Sequence, residues 1–221
     1  YGDIRLWGSV TFIIATLGGG WLFDEGRSDR IIWLLVGGMT LVSLSCLLVP
    51  NPVRLERTSS KIKTHMEIFL SPLFIFFLIT TGLTHVSHSV LYGFGTLYWR
   101  SLGHSEVIIG LFWSVGVLAE IVLFTTIGRI EKQIGYLFLL SLASVAAVIR
   151  WPLLAIFDSQ FAIILLQILH GFTFGAAHLG AMAFLAQNVP REISATGQSL
   201  YYTLVGGIFS GCMLPFAGML Y

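Results

Sequence analysis

Apolar residues in this chain come in runs of about twenty, separated by short polar stretches such as 24–30 and 129–135. Seven runs are distinguishable: Ile4–Phe23, Ile31–Val49, Ile68–Trp99, Val107–Ile127, Tyr136–Phe157, Phe161–Gln187 and Ser199–Tyr221. About 20 apolar residues cross the hydrocarbon of a bilayer as a helix. Inside hydrocarbon every backbone group must be satisfied within the segment, so runs of this length predict helices. The period-two alternation of a membrane barrel is absent. The expected fold is therefore an all-α membrane protein with seven transmembrane helices. The third run is too long for a simple span. A kinked or extended helix is predicted there, with Pro72 near its start and Gly82, Gly93 and Gly95 as places to bend.

Lys and Arg in the connecting stretches set the orientation. Arg5, Arg54, Arg57, Lys61, Lys63, Arg129, Lys132 and Arg191 fall on one side, against Arg27, Arg30 and Arg100 on the other. The richer side predicts a cytoplasmic Tyr1 and a cytoplasmic 50–65 loop, with Tyr221 at the outer face. Pro50 and Pro52 stop a helix there, and the basic, Ser/Thr-containing stretch that follows reads as a linker between two bundles. The first and last runs also echo one another: Gly20-Trp21-Leu22-Phe23 matches Gly218-Met219-Leu220-Tyr221, and the same offset pairs Gly8 with Gly206. Related halves are common in transporters.

Composition sharpens this picture. Residues are 56% hydrophobic and only 10% charged, where a soluble domain carries about 25% charged. A formal charge of +1 and no basic stripe give nothing to neutralise phosphates, which excludes nucleic acid. Cys46 and Cys212 lie inside apolar runs and form neither a disulfide framework nor a zinc spacing. The chain lacks an initiator Met and stops within an apolar run, so a fragment is expected.

The informative residues are ionisable ones within spans, because a charge at the bilayer centre costs about 2.5–3.5 kcal/mol on insertion scales. Glu120 lies well inside the fourth run and must be paired, protonated or wetted by a cavity. Arg150, followed by Trp151 and Pro152, is either central or reaches to the outer interface; as a permanent cation it needs an anion: Glu120, a partner in helices outside this sequence, or an anionic substrate. His170, with Gln167 one turn earlier, is able to move protons near neutral pH or simply to join two helices. For His178, surrounded by Gly171, Gly175 and Gly180, the packing role is favoured. Thr81, His85, His88 and Tyr92, spaced i, i+4, i+7 and i+11, share one helical face, and such a stripe is expected to line a substrate cavity. Gly171-x3-Gly175 and Gly207-x3-Gly211 are expected to bring helix backbones close.

Several strings carry a family resemblance. Tyr1-Gly2-Asp3-Ile4-Arg5-Leu6-Trp7-Gly8-Ser9 resembles the start of the fifth helix in the phenylpropionate-permease-like branch of the major facilitator superfamily. Leu111-Phe112-Trp113-Ser114-Val115-Gly116-Val117-Leu118-Ala119-Glu120, Arg150-Trp151, Gln167-Ile168-Leu169-His170-Gly171-Phe172-Thr173-Phe174 and His178-Leu179-Gly180-Ala181-Met182 continue the match in order. The resemblance implies a partial major facilitator bundle holding helices five to eleven of twelve. Residues 1–49 would be the last two helices of the N-terminal bundle, 50–66 the central cytoplasmic loop, and 67–221 the first five helices of the C-terminal bundle. The branch is similar to lactose permease, in which a helix-eight glutamate, a helix-nine arginine and a helix-ten histidine serve substrate and proton. The matching positions are Glu120, Arg150 and His170. Where lactose permease has its proton-carrying glutamate this chain has Thr173, so on this resemblance Glu120, His170 or a residue in the missing half would have to carry the proton. Residues 128–135 look like a degenerate copy of the superfamily's loop motif.

The resemblance thus implies a secondary transporter of the inner (plasma) membrane, working by alternating access. Proton-coupled uptake of a small organic solute is expected, with an aromatic carboxylate such as 3-phenylpropionate favoured over a sugar or nucleoside. Glu120, Arg150 and His170 are the expected coupling residues; His85, His88 and Tyr92 are the expected cavity lining. The expected partners are a small-molecule substrate, the proton and the lipid bilayer, with no cofactor or metal and a monomeric protein. The rival from another class is an intramembrane metalloenzyme built on His85, His88, His170 and His178; no His-Glu-x-x-His motif supports it.

Overall fold

The computed structural model describes residues 2–23, 30–48, 62–127 and 131–221. Most of the expected 50–66 linker, the 24–30 stretch apart from Arg30, and residues 128–130 of the 128–135 motif lie outside these. Every long element among the described residues is helical: α1 (Gly2–Phe23), α2 (Arg30–Leu48), α3 (Ile62–Phe69), α4 (Pro72–Ser101), α5 (Glu106–Thr126), α6 (Glu131–Ile134), α7 (Tyr136–Ile156), α8 (Gln160–Ile168), α9 (Ala177–Asn188), α10 (Ser194–Tyr201) and α11 (Ser210–Leu220). Among the described residues, six helical stretches are long and apolar enough to cross a membrane: Ile31–Leu48, Pro72–Ser101, Glu106–Thr126, Tyr136–Ile156, Gln160–Asn188 and Arg191–Leu220. The first of the seven expected runs forms α1, whose apolar part is the shorter Trp7–Gly19. The chain is a multi-pass membrane protein.

Local sequence explains the boundaries. The long third run breaks at Leu70–Ser71, where Ser71 caps α4 by accepting from the Phe74 amide at 3.3 Å and Pro72 occupies the first turn, where no N–H is missed. Beyond it, α4 runs unbroken for 30 residues. Gly103, at φ 85°, makes the turn into α5, and exposed Arg100 donates to Glu106 across that turn at 2.6 Å. Ser159 caps α8 in the same way as Ser71 caps α4.

The last two spans are not plain α-helices. Gly171–Ala176 and Tyr202–Phe209 are π-helical, the first between α8 and α9 and the second between α10 and α11. π segments are rare and concentrate at functional sites.

Lipid tails are as apolar as leucine, so burial from water does not drive these helices together; close packing does. A Cβ at Gly110 would meet the Thr16 carbonyl oxygen at 2.7 Å, and one at Gly171 would meet that of Ala119 at 2.7 Å. These glycines seat α1 on α5, and α5 on the first π segment. Gly82 and Gly93 receive Phe209 and Leu214 of the last span, so their small size serves packing. The expectation for Gly207-x3-Gly211 is not met: nothing lies within 4 Å of a Cβ at Gly211, because that face of α11 meets no neighbouring helix among the described residues.

Two apolar clusters flank the centre of α4. Phe74 and Phe77 pack with Phe184, Leu185 and Tyr201 near its start, and Trp99 packs with Ile109, Phe112 and Ile163 near its end. His88 is midway between Phe77 and Trp99, about 16 Å along the axis from each at 1.5 Å per residue. Polar chemistry is thereby confined to the middle of the bundle.

Candidate functional site

Four spans deliver polar side chains to that middle level. Arg150, on α7, is 0% exposed. Its Nε donates to the Leu166 carbonyl at 3.0 Å, one Nη1 hydrogen points to His170 Nδ1 at 3.2 Å and another to Thr173 Oγ1 at 3.1 Å, and Nη2 donates to Gln167 Oε1. Its Cζ lies 4.8 Å from the centre of the neighbouring Trp151 ring. The guanidinium is central and enclosed; it does not reach toward the interface.

Since arginine only donates, the contact with His170 determines a tautomer. Nδ1 must be the acceptor, so the ring hydrogen is on Nε2. That nitrogen is 2.9 Å from Glu120 Oε1 and donates to it. Glu120 is itself buried on α5. His170 therefore stands between cation and carboxylate as a neutral connector, with Tyr92 Oη 3.5 Å from the same Nε2.

The second histidine is determined the same way. His88 Nδ1 is 2.9 Å from the Thr84 carbonyl, which only accepts, so Nδ1 carries the hydrogen. Nε2 then accepts from Thr173 Oγ1 at 3.0 Å. One hydroxyl thus takes a hydrogen bond from Arg150 and gives one to His88. Gln167 closes the group: its Oε1 faces Arg150 and its Nε2 donates to the Phe112 carbonyl at 3.0 Å.

This network forms one wall of a cavity of about 680 Å³. Glu120, His170, Gln167 and Tyr92 face the cavity, and Phe12, Trp113 and Phe174 add aromatic surface. From α1 come Ser9 and Thr16, the latter 3.0 Å from Ser114 Oγ on α5. Among the described residues lining the cavity, Glu120 is the acid and none is Lys or Arg.

The polar stripe of α4 meets two cavities. Tyr92 lines the large one. Thr81, His85 and His88 line a separate space of about 50 Å³, together with Thr173, His178 and Tyr202. The stripe's eleven residues extend about 16 Å along α4, and the Phe174 ring, stacked on His170 at 5.3 Å, borders both spaces. Sequence reasoning singled out Glu120, Arg150 and His170, which the structure brings together. It noted Gln167 and Thr173 without giving them a part; polar residues three positions to either side of Arg150's histidine partner were the available signal. Among the described residues no three His, Cys, Asp or Glu side chains gather as metal ligands, and both His88 nitrogens are engaged.

Comparisons with known proteins agree with this architecture. The chain is 30% identical to the probable 3-phenylpropionic acid transporter of Escherichia coli (strain K12) over all of this chain and 59% of that protein. It is 24% identical to the maltose permease of Geobacillus stearothermophilus (94% of this chain, 53% of that protein) and 25% identical to the xanthosine permease of Escherichia coli (93% and 53%). The chain spans between 53% and 59% of the length of these relatives. No solved structure matches it significantly. The model of the MFS_1-like family, by contrast, matches residues 1–221, and the chain, with its apolar spans, belongs to that family.

Proposed function

We propose that the protein is a secondary active transporter coupling uptake of a small organic solute to proton entry across the inner membrane, as a monomer and by alternating access. The observation that carries this reading is the joining of a buried Glu120–His170–Arg150 network to a solute-sized cavity at the centre of the bundle. Sites in such folds lie near the bilayer midplane. Glu120 faces the cavity and is the primary coupling residue. His170 transmits its state to Arg150, and Arg150 fixes the His170 tautomer. Tyr92 belongs to the solute cavity, whereas His85 and His88 act from the smaller chamber. The Lys/Arg distribution supports a cytoplasmic 50–65 segment.

The solute is an aromatic carboxylate. The name of one relative, a probable 3-phenylpropionic acid transporter, and the Phe12, Tyr92, Trp113 and Phe174 rings around the cavity support this. Maltose and xanthosine permeases among the relatives make a sugar and a nucleoside the proper competitors. The test uses the full-length protein in weakly buffered vesicles. Phenylpropionate, a disaccharide and a nucleoside are added separately while external pH is followed. Alkalinisation with phenylpropionate alone, lost in Glu120→Gln, is expected. Labelled uptake without any pH change would refute proton coupling, and alkalinisation with one of the other compounds would replace the solute.

A further inference from the structure

Around the large cavity, some hydroxyl hydrogens are engaged and others are still to give. Beside it on α1 and α5, Thr16 donates to the Ile13 carbonyl at 3.1 Å and Ser114 to that of Gly110 at 2.8 Å. On α4, Thr81, Thr84, Ser87 and Ser101 return theirs to carbonyls of the preceding turn. Tyr92 and Thr96 differ. The partner of Tyr92 Oη is His170 Nε2, at 3.5 Å. That nitrogen carries a hydrogen, because Nδ1 of the same ring accepts from Arg150, so the phenol oxygen only accepts from it. The partner of Thr96 Oγ1 is the Trp113 indole N–H, at 3.0 Å, which likewise only donates. Both hydroxyl hydrogens are therefore uncommitted among the described residues. Tyr92 and Thr96 are four residues apart, hence neighbours on one face of α4, and both line the cavity. Such a pair is complementary to a group that only accepts, and a carboxylate is one.

Building on the proposed carboxylate transport, we propose that Tyr92 and Thr96 form the docking point of the solute's head group: the phenol and the threonine hydroxyl each donate to its carboxylate, and the Trp113 ring beside them packs on its aromatic part. Trp113 is preset for this. Thr96 holds its indole N–H, and the buried Trp99 meets its ring edge-on at 5.2 Å. The Tyr92 and Trp113 ring centres are 5.8 Å apart, so head-group donor and ring wall adjoin. Thr96 thus acts twice, once through its oxygen on the indole and once through its hydrogen on the solute. The assignment rests on the direction of each hydrogen bond and is the same whatever balances the charge of Glu120.

The experiment is titration calorimetry of full-length protein in lipid nanodiscs, with 3-phenylpropionate as the probe. A hydrogen bond to a charged group is strong, so Tyr92→Phe and Thr96→Val are each expected to raise the Kd about tenfold or more, and Thr96→Ser to leave it within about twofold of wild type. Because Thr96→Val also strips the indole of its partner, it is repeated in Trp113→Phe, which keeps a ring and removes the N–H. The cost of Thr96→Val is expected to be the same in both backgrounds. A cost that vanishes in Trp113→Phe means that Thr96 only positions the indole, and overturns its role as a donor. An unchanged Kd in either folded Tyr92→Phe or folded Thr96→Val overturns the pair while leaving carboxylate transport standing. Failure of folded wild type to bind 3-phenylpropionate overturns the carboxylate reading, and the pair with it. Tyr92→Phe, which deletes one oxygen from a ring 45% exposed, decides the matter if Thr96→Val does not fold.

Discussion

At the scale of single residues, the group at the centre works because each hydrogen bond has only one possible direction. An arginine cannot accept and a peptide carbonyl cannot donate, so His170 and His88 are held in opposite tautomers by Arg150 and Thr84. Thr173, fully buried, mediates between the two. Thr173→Val keeps the shape but leaves His88 Nε2 and an Arg150 hydrogen unpaired. A loss of about 1–3 kcal/mol is expected, read as a lower melting temperature that Thr173→Ser restores. Arg150→Lys removes the planar fork that serves Leu166, Gln167, Thr173 and His170 together, and a loss of about 3 kcal/mol is expected, as when a buried charged network is broken. The need for these side chains was legible in the sequence, since a charge in an apolar run demands a partner. Their directions were not. Spacing along separate helices says nothing of the rotation of one about another, so the seclusion of Arg150 from the cavity appears only when α7 and α8 are packed together.

At the scale of elements, apolar runs and their breaks located the helices well, and Pro72 marked the start of the longest one as expected. The π segments were illegible. One extra residue in a turn leaves composition and hydropathy unaltered, and Gly171-Phe172-Thr173-Phe174-Gly175-Ala176 reads equally well as α-helix. Close packing by small residues was legible as a motif, but not as a contact: Gly171 and Gly175 meet α5 while Gly211 meets nothing within 4 Å of an added Cβ. A graded series follows. Gly171→Val and Gly110→Val, which force side-chain atoms against carbonyl oxygens, are expected to cost about 1–3 kcal/mol; Gly175→Ala, with its nearest neighbour a leucine methyl at 3.3 Å, should cost less; and Gly211→Ala should leave the melting temperature of the detergent-purified protein unchanged. Equal effects across the series would contradict the packing described here.

At the scale of the whole molecule, α1 belongs to the first part of the chain and α5 to the second, yet they lie against one another along one side of the cavity. Thr16 and Ser114 touch there at 3.0 Å. If transport proceeds by rocking of two bundles, this contact must open and close. Thr16→Cys with Ser114→Cys, in a background where exposed Cys46 and Cys212 are serine, should form a disulfide that stops uptake and is reversed by reductant; sustained uptake by the cross-linked protein would mean that α1 and α5 travel together. The two π segments have a consequence for such motion. Both border the small histidine chamber, through Thr173 and Phe174 on one and through Tyr202, Val205 and Gly206 on the other. A π turn holds one residue more than an α turn, and passing that residue onward changes the register of everything beyond it by about 100° at 3.6 residues per turn. The helix need not melt to do so. His178, beyond the first segment, could thus be dialled away from the chamber while His170, before it, kept its hold on Glu120: a screw thread within the bundle, able to reset one end of a span while the other stays fixed.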